Sequence, residues 1–407
     1  MHEILKRFYP SNDNHDSENN HTRYERIYPT LTAFGLGLVL LGFCFQSPSE
    51  IYHGLIKIVS TEASLITDFV ALAGLGAALV NSGLVTLISI AILWAFDETA
   101  NGMTIVAVGL MSGFALFGKD ILNIWPIIFG SFIYSQIQNE NFGKYAILAL
   151  TSTALSPMVT FIALDPAFGN VWTAILVGII IGIVLPPLST YTFQIQNGMN
   201  LYNTGFACGL VAMMFVPLMT KMGATPDINS YWASEYNVEF FCIISGFCIL
   251  LILLGLFAFP LPAWAAWAGY RRLLQTSGRS PSDYLRMFGA APVMINTGVN
   301  GLISLSALMM VEGDLNGPTV GAILTIMGFS SFGKHAMNII PVMLGAIIGT
   351  VLSEWGFADN SVQISILFCT TLAPISGYFG WFYGIIAGFF HSAVVIFTST
   401  PVAGMTL

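Results

Sequence analysis

The sequence predicts an all-α, polytopic integral membrane protein built from two inverted-topology repeats with broken or re-entrant helices. Three observations carry this expectation. Of 407 residues, 55% are hydrophobic and only 8% charged, and the mean hydropathy is +0.77, which is more apolar surface than one water-soluble core can hide. Residues 81–130 and 296–345 align without a gap at a shift of 215 positions, with 19 of the 50 pairs identical. The few basic residues gather at two places that are not equivalent in direction, as set out below.

The elements follow in order. Residues 1–26 form a polar tail, because Ser11–Arg26 is rich in Asn, Asp, His and Ser and cannot bury enough apolar surface to fold alone. No short apolar region with a small-residue cleavage site precedes the first span, so that span is expected to remain as an anchor. Apolar runs at 31–46, 70–96, 103–118, 145–164, 171–188, 239–259, 362–379 and 382–398 reach or approach the ~20 helical residues that cross the hydrocarbon layer. Lipid offers the backbone no hydrogen bonds and no period of two is evident, so these runs are expected to be helices. The stretches Ser47–Thr61 and Pro260–Leu274 are amphipathic and suit the membrane interface.

The repeat reaches beyond its best-matched block. Leu41-Gly42 matches Leu254-Gly255 at a shift of 213, Leu155 and Pro157 match Leu372 and Pro374 at 217, and Gly182, Thr192, Gly198-Met199 and Leu201 match Gly388, Thr398, Gly404-Met405 and Leu407 at 206. Unit one therefore covers 27–219, an external linker 220–237, and unit two 238–407. Unit two stops at the equivalent of Leu201 and is expected to be truncated, with an in-frame continuation resembling Tyr202–Phe206 in the encoding DNA.

Lys and Arg near span ends stay on the cytoplasmic side. Lys6, Arg7, Arg23 and Arg26 precede the first span of unit one, whereas Arg271, Arg272, Arg279 and Arg286 follow the first span of unit two. With both clusters cytoplasmic, the two first spans run in opposite directions, and the N-terminus lies inside the cell.

Two interruptions recur in both units. Asn81-Ser82-Gly83 and Asn296-Thr297-Gly298 fall in runs too long for one crossing, and a break or re-entrant turn is expected there. Phe-Gly-Lys-x-x-x-Asn-x-x-Pro occurs at 117–126 and 332–341. Its glycine ends one helix, its Lys and Asn, four apart, share one face of the next, and its proline frees a carbonyl within that helix. Broken helices at membrane depth are tolerated only against protein or a polar cavity, so the expected solute-binding residues are Asn81, Lys119, Asn123, Asn203, Asn296, Lys334 and Asn338. Asp120 and His335, beside the two lysines, make the half-sites electrostatically unequal and are the expected coupling groups. The plainer reading has the lysines reaching lipid headgroups and the asparagines capping helices or bonding across helix contacts. His391 reads as a packed or interfacial histidine, and Cys44, Cys208, Cys242, Cys248 and Cys369 as packing thiols without ligand-like spacing.

The sequence holds no HExxH, Walker loop or Gly-x-Ser-x-Gly, so no enzyme and no cofactor is expected. The expected function is secondary transport of a small polar or anionic solute, with a passive channel for a neutral solute and a non-transporting scaffold as alternatives. The expected partners are the solute, membrane lipid, a coupling proton or sodium ion and a second copy in a homo-oligomer, with no nucleic acid.

At Asn-Ser/Thr-Gly, Phe-Gly-Lys and Gly-Met-x-Leu-Tyr-Asn-Thr-Gly-Phe the chain resembles, over nearly its whole length, the prokaryotic membrane family known as domain of unknown function 1576. The resemblance implies a polytopic membrane protein. "LVNSGLVTLISIAIL" and "LYNTGFACGLVA" are also similar to pore segments of urea transporters, with a much longer spacing between them here.

Overall fold

A computed structural model describes residues 27–61, 66–96, 99–165, 170–223 and 231–398. The polar tail and the middle of the linker lie outside these residues. Regular structure among them is helical, apart from two isolated antiparallel bridges, Asp68–Phe117 and Asp283–Phe332.

The first half runs α1 (Ile27–Phe45), α2 (Pro48–Ser60), α3 (Phe69–Ala73), α4 (Leu75–Ala95), α5 (Gly102–Phe114), α6 (Trp125–Ile137), α7 (Gly143–Ser152), α8 (Ser156–Leu164), α9 (Val171–Gln196) and α10 (Asn203–Lys221). The second repeats that order as α11 (Asn237–Phe257), α12 (Ala263–Leu273), α13 (Tyr284–Phe288), α14 (Ala290–Met310), α15 (Gly317–Phe329), α16 (Ala336–Val351), α17 (Asn360–Phe368), α18 (Ala373–Phe379) and α19 (Trp381–Thr398). Short 3-10 turns join α7 to α8 and α17 to α18. Among the described residues, eight helices are long and apolar enough to cross a membrane when α7–α8 and α17–α18 are each taken as one. Their outer faces are apolar, with Leu36, Leu40, Trp172, Leu176, Phe241 and Leu253 exposed, as lipid contact requires.

The breaks differ from those expected. Asn81-Ser82-Gly83 and Asn296-Thr297-Gly298 sit inside the continuous helices α4 and α14. The chain turns seven residues earlier, at Gly74 (φ 87°) and Gly289 (φ 81°), angles that glycine adopts without a Cβ penalty. Gly83 serves close packing instead, since a Cβ there would stand 2.8 Å from Gly35 O on α1. The second interruption is real: α5 and α15 are only 13 residues long, roughly 20 Å, and each is followed by a positive-φ glycine, Gly118 (83°) or Gly333 (99°). Beyond it, Lys119 and Lys334 precede the next helix rather than sharing a face with Asn123 and Asn338. Pro126 falls in the first turn of α6, where no carbonyl is freed, whereas Pro341 lies inside α16.

These two half-length helices form the centre. Their N-termini are closed by the same capping box: Asn101 Oδ1 accepts from Thr104 N at 3.1 Å and Asn316 Oδ1 from Thr319 N at 3.2 Å. They pack against each other through glycines and run in opposite directions. A Cβ on Gly113 would stand 2.4 Å from Gly321 O, one on Gly102 2.6 Å from Ser331 O, and one on Gly317 2.4 Å from Leu116 O. Outside them, α6 crosses α9 and α16 crosses α19 at equivalent glycines, Gly130 with Gly182 and Gly345 with Gly388.

Candidate functional site

Four segments meet at the broken helices: the middles of α4 and α14, and the turns that follow α5 and α15. Asn81, buried in α4, donates its amide hydrogens to Ala115 O at 2.7 Å and Lys119 O at 2.9 Å. Asn296 in α14 donates to Ser330 O and Lys334 O, both at 2.7 Å. Each asparagine thus satisfies carbonyls that a broken helix leaves without an intrahelical partner, and each reaches them from a neighbouring helix.

The turns are closed from within by the second asparagine of the motif. Asn123 Nδ2 donates to Gly118 O (2.9 Å) and Thr160 Oγ1 (3.0 Å), and its Oδ1 accepts from Asp120 N (3.0 Å). Asn338 Nδ2 donates to Gly333 O (2.8 Å), and its Oδ1 accepts from His335 N (2.9 Å). Asp120 Oδ1 accepts from Leu122 N and Asn123 N, and His335 Nε2 meets Thr276 O at 2.9 Å. The Asp120 carboxylate is therefore engaged within its own turn, whereas the His335 ring ties its turn to the segment that follows α12.

The lysines end in different surroundings. Lys119 is 1% exposed and Lys334 0%, and among the described residues neither has a carboxylate within ion-pair distance; the ion pairs found are Lys144–Glu140 and Arg286–Asp283. Lys119 Nζ lies 3.4 Å from Met111 Sδ and 5.0 Å from the centre of the Phe114 ring. Lys334 Nζ donates to Tyr202 OH and to Thr370 Oγ1 (2.7 Å), and lies 4.1 Å from the Tyr202 ring and 5.3 Å from that of Phe329. Phe368 packs on both Phe114 (6.1 Å) and Tyr202 (5.8 Å), so an unbroken run of aromatic rings joins the two lysines. Such rings attract cations at their faces.

Asn203 stands apart from this set. It accepts from Thr192 Oγ1 at 2.7 Å and donates to Ser189 O at 2.8 Å, tying α10 to α9. Its neighbour Tyr202 reaches the lysine instead. Also unforeseen are Asp68 and Asp283, which stand at the same shift of 215 as the repeat. Asp68 caps α3 and crosses to the other half: its Oδ1 accepts from Val70 N (2.9 Å) and Gly317 N (3.1 Å), and its Oδ2 from Ala233 N (2.8 Å). Asp283 caps α13 and accepts from Gly102 N at 3.2 Å. Asp68 is fully buried, whereas Asp283 lines a cleft of about 430 Å³ with Asn101, Lys144, Thr204 and Arg286.

Buried polar turns at the centre of an apolar helical bundle define the class: a membrane-embedded, multi-pass helical protein. The chain belongs to the family described as Protein of unknown function (DUF1576), which matches residues 47–221 and 264–407, two stretches that begin beside α2 and α12. No curated protein and no solved structure matches it.

Proposed function

We propose that this protein is a secondary transporter of a small anionic or polar solute in the cell membrane, with its N-terminus cytoplasmic and its site between two repeats of inverted topology. One observation carries the reading: equivalent turns at the ends of two antiparallel half-length helices each bury a lysine without a carboxylate partner. Ionisable side chains are rare at membrane depth and mark solute or ion paths. Interrupted helices from two related halves are the common framework of such paths. An anion between Lys119 and Lys334 would offset both cations, and the hydroxyl of Tyr202, which accepts from Lys334, would donate to its oxygens.

The test is flux in vesicles reconstituted with the purified chain, scanning radiolabelled carboxylates, phosphate and small amides under imposed sodium or proton gradients. Lys119→Met and Lys334→Met keep length and lose charge, and each is expected to cut flux at least about tenfold, the factor that 1.4 kcal/mol represents, while inserting normally. Unchanged flux in the double variant refutes the reading. Flux indifferent to every gradient makes the protein a channel.

A further inference from the structure

Asn296 and Asn300 lie one turn apart on α14, on one face of the helix, and both are 0% exposed. Their amide nitrogens converge on a single carbonyl: Asn296 Nδ2 donates to Lys334 O (2.7 Å) and Ser330 O (2.7 Å), and Asn300 Nδ2 to Lys334 O (3.2 Å) and Ser330 Oγ (2.8 Å). Carbonyl oxygens only accept, so turning either amide over would set oxygen against oxygen. The partners thus fix which end of each amide faces the turn. The Oδ1 atoms of both residues are left buried without a hydrogen-bond partner, a costly arrangement unless something meets them.

What would meet them is set by their surroundings. The oxygens are neutral and hard, and they belong to amides whose nitrogens bond Ser330 and Lys334, just where α15 ends. A half-helix C-terminus carries partial negative charge and favours cations, and unwound carbonyls at such ends are a recurrent setting for sodium. No carboxylate, imidazole or thiol takes part in these contacts, which suits a monovalent ion better than calcium, whose sites collect carboxylates. The Lys334 ammonium is engaged elsewhere, on Tyr202 and Thr370. We propose that Asn296 and Asn300 form a sodium site in the second half, and that this ion drives the transport proposed above. Only the driving role rests on that reading. In the first half Asn81 repeats the Asn296 bonds and its lone Oδ1, but Val85 stands where Asn300 would, so the pair exists once.

The measurement is saturable ²²Na⁺ binding to the purified full chain, with competition by NaCl, KCl and choline chloride at constant ionic strength. Wild type is expected to bind sodium and to be competed by NaCl alone. Asn300→Val installs the residue of the first half and leaves Lys334 O its bond from Asn296, and is expected to weaken binding at least tenfold. Asn300→Asp keeps the shape, adds a charge and is expected to let Ca²⁺ compete. Absence of saturable binding in wild type overturns the proposal, as does wild-type affinity in Asn300→Val or wild-type selectivity in Asn300→Asp. Sodium binding without flux driven by any gradient would sustain the site and refute the transport reading; proton-driven flux without sodium binding would do the reverse.

Discussion

At the scale of single residues, the repeated asparagines hold the broken chain together. Removing the Asn81 side chain leaves Ala115 O and Lys119 O without its hydrogens, and removing that of Asn296 does the same to Ser330 O, while Lys334 O keeps the Asn300 bond. An orphaned buried carbonyl costs about 1–3 kcal/mol. Asn81→Ala is therefore expected to destabilise more than Asn296→Ala, by about one such bond, in thermal unfolding of the detergent-solubilised protein. Equal losses would show that the Asn300 bond does not compensate. The duplication made these asparagines legible, because polar residues kept at one shift in two apolar segments need a polar reason. It did not separate Asn203 from Tyr202: both lie in the same motif, and only the start of α10 decides which of them turns toward Lys334. Asn300 was illegible for the opposite reason, since its counterpart Val85 is apolar and the repeat hides it.

At the scale of elements, the duplicated glycines do two different jobs. Gly74, Gly118, Gly289 and Gly333 have positive φ and bend the chain, whereas Gly130, Gly182, Gly345 and Gly388 let helices touch. Both jobs are written with the same letter, which is why a break was expected at Asn81-Ser82-Gly83 and found at Gly74. The two kinds of helix glycine give a graded test. A Cβ on Gly388 would stand 1.9 Å from Val342 O, backbone against side chain with nothing flexible to give, while one on Gly37 meets nothing within 4 Å. Gly388→Ala is expected to cost about 1–3 kcal/mol through overpacking. Gly37→Ala in α1 is expected to be neutral or stabilising by up to about 1 kcal/mol. Comparable unfolding temperatures for the two variants would refute the packing account of α16 and α19.

At the scale of the molecule, helical class and duplication follow from composition and spacing, whereas the crossing of the halves does not. Nothing in the pattern of Asp68 or Asp283 says that its carboxylate caps a helix of the other half, because that contact spans 249 or 181 residues. Opposite direction of α5 and α15 is what inverted repeats would give, and membrane sidedness tests it. In a background without native cysteines, single cysteines at Asn20 and Arg271 are expected to label from the cytoplasmic face and one at Glu235 from the other. Arg271 is exposed and suits the purpose, whereas a side chain at Gly278 would meet Gly333 O at 2.0 Å. Labelling of positions 20 and 271 from opposite faces would rule out inversion.

The reciprocal aspartates also set an order of events in synthesis. Gly317, once made, finds Asp68 already in place, but Gly102 precedes Asp283 by 181 residues, roughly 10–40 s at ribosomal rates of about 5–20 residues per second. During that interval the amide at the head of α5 lacks the acceptor that it has in the finished fold. Two halves that repeat one order of elements thus acquire these contacts at one moment, when the later half is made.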